Sequence, residues 1–215
     1  MPASESQRLF AAGAAGLCWF ALVLQLYLSI GRSIDNGAGV AHGIWMYVAF
    51  FTVLTNLVVA VVLTAPLLAP QSGLGRFCAR PATIAGTAVN IALVGITYNL
   101  LLRHTWNPQG LQLLGDILLH DAVPIVFVVY AWWYAGPARA ALVDRASWAL
   151  WPLAYFIYAI VRGAASGFYP YPFIDVGRLG YGQVLVNAVG VCFGYFLVAA
   201  ALFTLDRLRP RRLAT

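Results

Sequence analysis

Phe51-Thr52-Val53-Leu54-Thr55-Asn56-Leu57-Val58-Val59-Ala60-Val61-Val62-Leu63-Thr64 is the middle of an apolar run from Ile44 to Ala69 that holds no charged side chain. A helix rises about 1.5 Å per residue, so about twenty residues cross the ~30 Å hydrocarbon core of a bilayer. The run therefore reads as a transmembrane helix. Outward from it lie five more: Leu9 to Ile30, Ala82 to Leu102, Leu113 to Ala135, Trp148 to Val161, and Gly182 to Leu205. The fifth is short and is extended to residue 165, past Arg162, whose side chain then snorkels or finds a partner. The expectation is an all-α bundle of six transmembrane helices forming a single domain over residues 1–215.

Composition agrees. Hydrophobic residues make up 62% of the chain and charged residues 9%, far below the roughly 25% charge of soluble domains. The first run is too long for a signal-peptide core and is read as an anchor helix. The net charge of +6 comes from arginine alone, and its placement follows topology rather than a nucleic-acid footprint. Arg8, Arg76, Arg80, Arg139, Arg145, Arg207, Arg209, Arg211 and Arg212 fall on the side shared by the termini, against Arg32, Arg103, Arg162 and Arg178 on the other. The positive-inside rule then puts both termini in the cytoplasm. An arginine-only basic set with abundant alanine suits a bacterial inner membrane. Cys18 and Cys192 fall in mid-span and Cys78 in a connector; they read as packing residues, and no metal-ligand spacing or cofactor motif accompanies them.

Polar residues inside hydrocarbon are costly, so a layer of them at one depth marks a site. Thr52, Thr55 and Asn56 stand at i, i+3 and i+4, and Asp116 and His120 at i and i+4, with Asp121 turned aside. Asn99, Asn187, Gln25, Ser29 and Arg162 add to the same extracytoplasmic layer. A neutral imidazole can take a proton from a hydroxyl too weakly nucleophilic to react alone. A threonine and a histidine at one depth are the minimum kit for acyl transfer. The same residues suit a proton-coupled transporter, with Asp116, His120 and Asp121 as carriers, or a non-catalytic lipid-binding protein. Before the last run, Phe168-Tyr169-Pro170-Tyr171-Pro172-Phe173-Ile174-Asp175 reads either as an interfacial aromatic belt or as a lid over a cavity.

Phe50-Phe51-Thr52-Val53-Leu54-Thr55-Asn56, His120-Asp121-Ala122-Val123-Pro124 and Tyr171-Pro172-Phe173-Ile174-Asp175, in that order and with six spans, resemble the androgen-induced protein family, including its bacterial six-pass members. The resemblance implies hydrolysis of fatty acid esters of hydroxy fatty acids by an intramembrane threonine and a histidine. Carried over by position, Thr52 matches the nucleophile and His120 the histidine. Thr55 is the alternative nucleophile, since this segment offers two hydroxyls. Asn56, Asn99 and Asn187 are candidate oxyanion donors, and Asp116 or Asp175 a candidate partner for the imidazole. The expected partners are a fatty acyl ester and the bilayer, with no metal or cofactor.

Overall fold

The computed structural model describes residues 4–134 and 147–207, and the described residues form helices with no strand. Gly136 and Pro137, a helix-stop pair after the fourth expected span, and Arg139, Arg145, Arg209, Arg211 and Arg212 lie outside them. The helices are α1 (Glu5–Asp35), α2 (Gly39–Tyr47), α3 (Phe51–Leu68), α4 (Gly73–Cys78), α5 (Pro81–Thr97), α6 (Leu111–Ile117), α7 (Val123–Tyr134), α8 (Leu150–Ser166) and α9 (Val176–Arg207). Local chemistry sets several ends. The Ser4 hydroxyl accepts from the Gln7 N–H to cap α1, Pro81 opens α5 where its missing N–H costs nothing, and Gly167 closes α8 at φ +73°.

Five segments are long and apolar enough to cross a membrane: Glu5–Asp35, Phe51–Leu68, Pro81–Thr105, Leu111–Tyr134 and Val176–Leu205. The fifth expected span, α8, has 17 residues, about 25 Å of helix, and falls short of that measure.

Three expected spans are also not plain α-helices. The run from Ile44 to Ala69 is broken: α2 ends at Tyr47, Phe50 is extended (φ −94°, ψ 133°), and α3 starts at Phe51. The third and fourth runs each contain a π-helical turn, Tyr98–Leu102 after α5 and Leu118–Ala122 between α6 and α7. Wide turns of this kind are rare and frequently occur at functional sites.

The core lies between α1, α3, α5 and α7, where Leu22, Val59, Leu63, Ile91 and Phe127 are fully buried. α9 is peripheral. Only 11% of its most apolar window is buried, and Leu185, Val189, Phe193 and Phe196 are exposed as a lipid-facing surface would be. α1 and α2 approach closely at Gly43, where a Cβ would sit 2.6 Å from the Ile30 Cα. That contact fixes the broken segment against α1, and with it the start of α3.

Candidate active site

The break before α3 leaves backbone carbonyls without helical partners inside the protein, a costly arrangement unless side chains supply donors. α8 supplies them. The Tyr155 hydroxyl donates to the Ala49 carbonyl (2.9 Å), the Tyr158 hydroxyl to the Val48 carbonyl (3.1 Å), and Arg162 Nη2 to the Trp45 carbonyl (2.6 Å). The Arg162 guanidinium also lies 3.6 Å from the centre of the Trp45 ring. Arg162 thus faces the carboxyl end of α2, where a cation is favoured, and no carboxylate is needed to hold it there.

With the break held, Thr52 falls in the first turn of α3. Its Oγ1 lies 3.3 Å from His120 Nε2, which comes from the π-helical turn between α6 and α7. The tautomer of His120 follows from its neighbours. Nδ1 lies 3.0 Å from the Asp116 backbone carbonyl and 3.2 Å from Asp116 Oδ1, the latter off the hydrogen-bond direction. Both are acceptors, so Nδ1 carries the proton and Nε2 presents its lone pair to the Thr52 hydroxyl. The other carboxylate oxygen, Oδ2, accepts from the Tyr98 hydroxyl at 2.7 Å, which in turn accepts from Trp106 Nε1 at 2.9 Å. The Tyr98 ring stacks on His120 with centroids 3.7 Å apart. A hydroxyl, an oriented imidazole and a buried carboxylate therefore stand side by side.

The remaining candidates are distributed differently. Asn56 is fully buried, and its amide donates to the Thr52 carbonyl (2.8 Å) and the Leu119 carbonyl (3.2 Å). Both its hydrogens are engaged, so it ties α3 to the turn that carries His120 rather than presenting a free donor. Thr55 shares the buried side of α3 but accepts from Trp151 Nε1 on α8 at 3.0 Å. Asn99 donates to the Gly95 carbonyl and to Asp121 Oδ1, and Arg103 pairs with Asp121 Oδ2. Asn187 donates to the Phe173 carbonyl (2.8 Å), and Asp175 accepts from the Arg178 N–H at the start of α9. These last two fasten the connector rather than meeting His120.

Tyr98 and Trp106 carry no sequence signal for the site, and Tyr171 belongs to the aromatic connector. Tyr171 brings the aromatic connector to the site: the Thr52 N–H, one of the free donors in the first turn of α3, points at its hydroxyl at 3.4 Å. The Tyr171 ring is packed among Phe50, Tyr155 and Phe173. That burial pushes its phenol up, and the phenol stays protonated.

Two cavities meet at Thr52. One, of about 480 Å³, lies between α5, α8, α9 and the connector; its lining has hydroxyls and one thiol but no charged or amide side chain. The other, of about 400 Å³, is lined by Gln25, Ser29, Arg32, His42, Gln112 and His120 among others. Thr52, Tyr98, Leu102 and Tyr171 line both. Among the described residues, no group of three or more His, Cys, Asp or Glu side chains converges as a metal site. No protein-family model, curated protein or solved structure matches the chain.

Proposed function

We propose that this chain is an intramembrane lipid ester hydrolase with Thr52 as nucleophile and His120 as general base. The observation that carries the reading is the 3.3 Å approach of Thr52 Oγ1 to an imidazole nitrogen whose opposite N–H is already committed to Asp116. His120 Nε2 takes the hydroxyl proton as Oγ1 attacks the ester carbonyl carbon. Collapse of the tetrahedral adduct breaks the bond to the alcohol oxygen, which leaves with the proton from His120. Water then gives a proton to His120 as it attacks the acyl-threonine, and the acid departs with Thr52 restored. Tyr171, protonated and accepting only a long bond from the Thr52 N–H, has a hydroxyl proton it can donate to the oxyanion, a role worth roughly 2.7 to 4 kcal/mol in hydrolases that depend on such a donor.

Thr55 is the weaker nucleophile candidate because its hydroxyl is engaged by Trp151. A proton relay through Asp116, His120 and Asp121 is disfavoured because Asp121 is turned to Asn99 and Arg103. Ester hydrolysis is also the reaction class implied by the resemblance to the androgen-induced protein family, whose substrates are fatty acid esters of hydroxy fatty acids. The same reading counts α8 as a sixth crossing, since it packs beside the break in the second. It places the termini in the cytoplasm and the site in the extracytoplasmic half of a bacterial inner membrane.

A fluorophosphonate probe tests the core of the proposal. Labelling of the wild type that disappears in both Thr52→Ala and His120→Ala, with each variant folded by thermal melting, is the expected result. Labelling that persists in both would overturn it.

A further inference from the structure

We infer that the substrate is an ester of a long acyl chain with a small, polar alcohol, the chain lying in the apolar cavity and the alcohol in the polar one. This rests on the hydrolase reading and follows from which cavity holds the proton carrier. His120 and Asp116 line the polar cavity and do not line the apolar one. The imidazole that takes the threonine proton must hand it to the leaving oxygen, so the alcohol has to sit on the His120 side of the carbonyl. The deacylating water attacks along the path the alcohol vacates, and it too must come from that side.

The acyl chain is then left the space across the partition formed by Thr52, Tyr98, Leu102 and Tyr171. That space suits it chemically. Leu153, Leu185, Val189 and Phe196 line the apolar cavity and are also exposed, so it opens sideways between α8 and α9 onto the surface that lipid tails cover. The polar cavity is lined by Arg32, Asn36 and His42 at the end of α1 and in α2, and by Thr105 beyond α5, with Gln112 donating to Gln25 along its wall. A hydrocarbon alcohol placed there would strip water from amides and a guanidinium without replacing their hydrogen bonds. A glycerol-like alcohol would replace them.

The test compares three esters in detergent micelles: mono-oleoylglycerol, a long-chain alkyl oleate, and monobutyrylglycerol. Wild-type kcat/KM is expected to be at least tenfold higher for mono-oleoylglycerol than for the alkyl oleate. Ala188→Phe, which fills the apolar cavity, is expected to lower the ratio of oleoyl to butyryl kcat/KM by at least tenfold. Gln25→Leu combined with Gln112→Leu is expected to narrow the preference for the glycerol ester about tenfold. Equal turnover of the two oleoyl esters, or equal loss of oleoyl and butyryl activity in Ala188→Phe, overturns the two-cavity assignment while Thr52-dependent hydrolysis stands. Turnover that Thr52→Ala leaves untouched overturns the hydrolase reading as well.

Discussion

Replacing Asp116 with asparagine separates two jobs that a carboxylate beside a catalytic histidine can do. One is to fix the tautomer; the other is to stabilise the positive charge the imidazole gains as it takes a proton. Here the Nδ1 proton is aligned on the Asp116 backbone carbonyl at 3.0 Å, which the substitution leaves in place, while the carboxylate lies 3.2 Å away off the hydrogen-bond direction. The tautomer is thus expected to survive, and only the charge term is lost. Two unit charges 3.2 Å apart attract by about 5 kcal/mol at an effective dielectric constant of 20. This is a ceiling, because part of the carboxylate charge is already engaged by the Tyr98 hydroxyl. A loss of about 3–4 kcal/mol corresponds to a fall in kcat of roughly 10²- to 10³-fold. KM should hold, and Tm should change little because the amide oxygen can still accept from Tyr98. The assay is steady-state hydrolysis of mono-oleoylglycerol, with the rate of fluorophosphonate labelling as a second readout. A fall near 10⁴-fold, the cost where the carboxylate itself sets the tautomer, would refute the role given to the backbone carbonyl. A fall of less than tenfold would refute the charge coupling.

Tyr171→Phe removes the proposed oxyanion donor while keeping the ring against Phe173, and kcat is expected to drop about 10²-fold with KM little changed. Thr55→Val is expected to keep ester turnover within about threefold while lowering stability by about 1 kcal/mol, the worth of the hydrogen bond from Trp151, read by thermal melting. Asn56→Leu strands the Leu119 carbonyl and removes the second bond to the Thr52 carbonyl, and a loss of about 1–3 kcal/mol in stability, with a large drop in kcat, is expected from denaturation and kinetics together. Arg162→Met should cost about 2–4 kcal/mol in a melt, and Arg162→Lys should recover less than half of it, because an ammonium cannot both stack on Trp45 and reach its carbonyl as a planar fork does.

What was legible in the sequence was what periodicity and polarity encode. The apolar runs gave the long helices, and the i, i+4 spacing of Asp116 and His120 put them together, as the 3.2 Å approach shows. Thr52, Thr55 and Asn56 do share the buried side of α3, yet each meets a different neighbour: His120, Trp151 and Leu119. Helical spacing gives a direction, and it does not give the identity of what is met. The two π-helical turns and the break at residues 48–50 have no residue signature, since an apolar run reads the same whether its hydrogen bonds span four residues or five. Tyr98 was hidden for a related reason. An aromatic in a membrane helix is usually packing, and only the turn at Tyr98–Leu102 aims its hydroxyl at Asp116.

The break explains why the polar stripe of α8 exists. A helix that begins inside the protein exposes free N–H groups at its start, and the chain before it exposes free carbonyls. The carbonyls of Trp45, Val48 and Ala49 are each met from α8, by Arg162, Tyr158 and Tyr155. The N–H side is closed less tightly: the Thr52 amide reaches Tyr171 at 3.4 Å, a long contact. In the proposed reaction that looseness has a use, because a donor not already well bonded can turn to a new acceptor, and the start of α3 carries partial positive charge. The oxyanion would form where the backbone still has a donor to offer. A continuous helix from Ile44 to Ala69, the plainer way to cross a membrane, would commit that amide to the carbonyl four residues back and leave Thr52 a hydroxyl with a base and nothing to receive the charge.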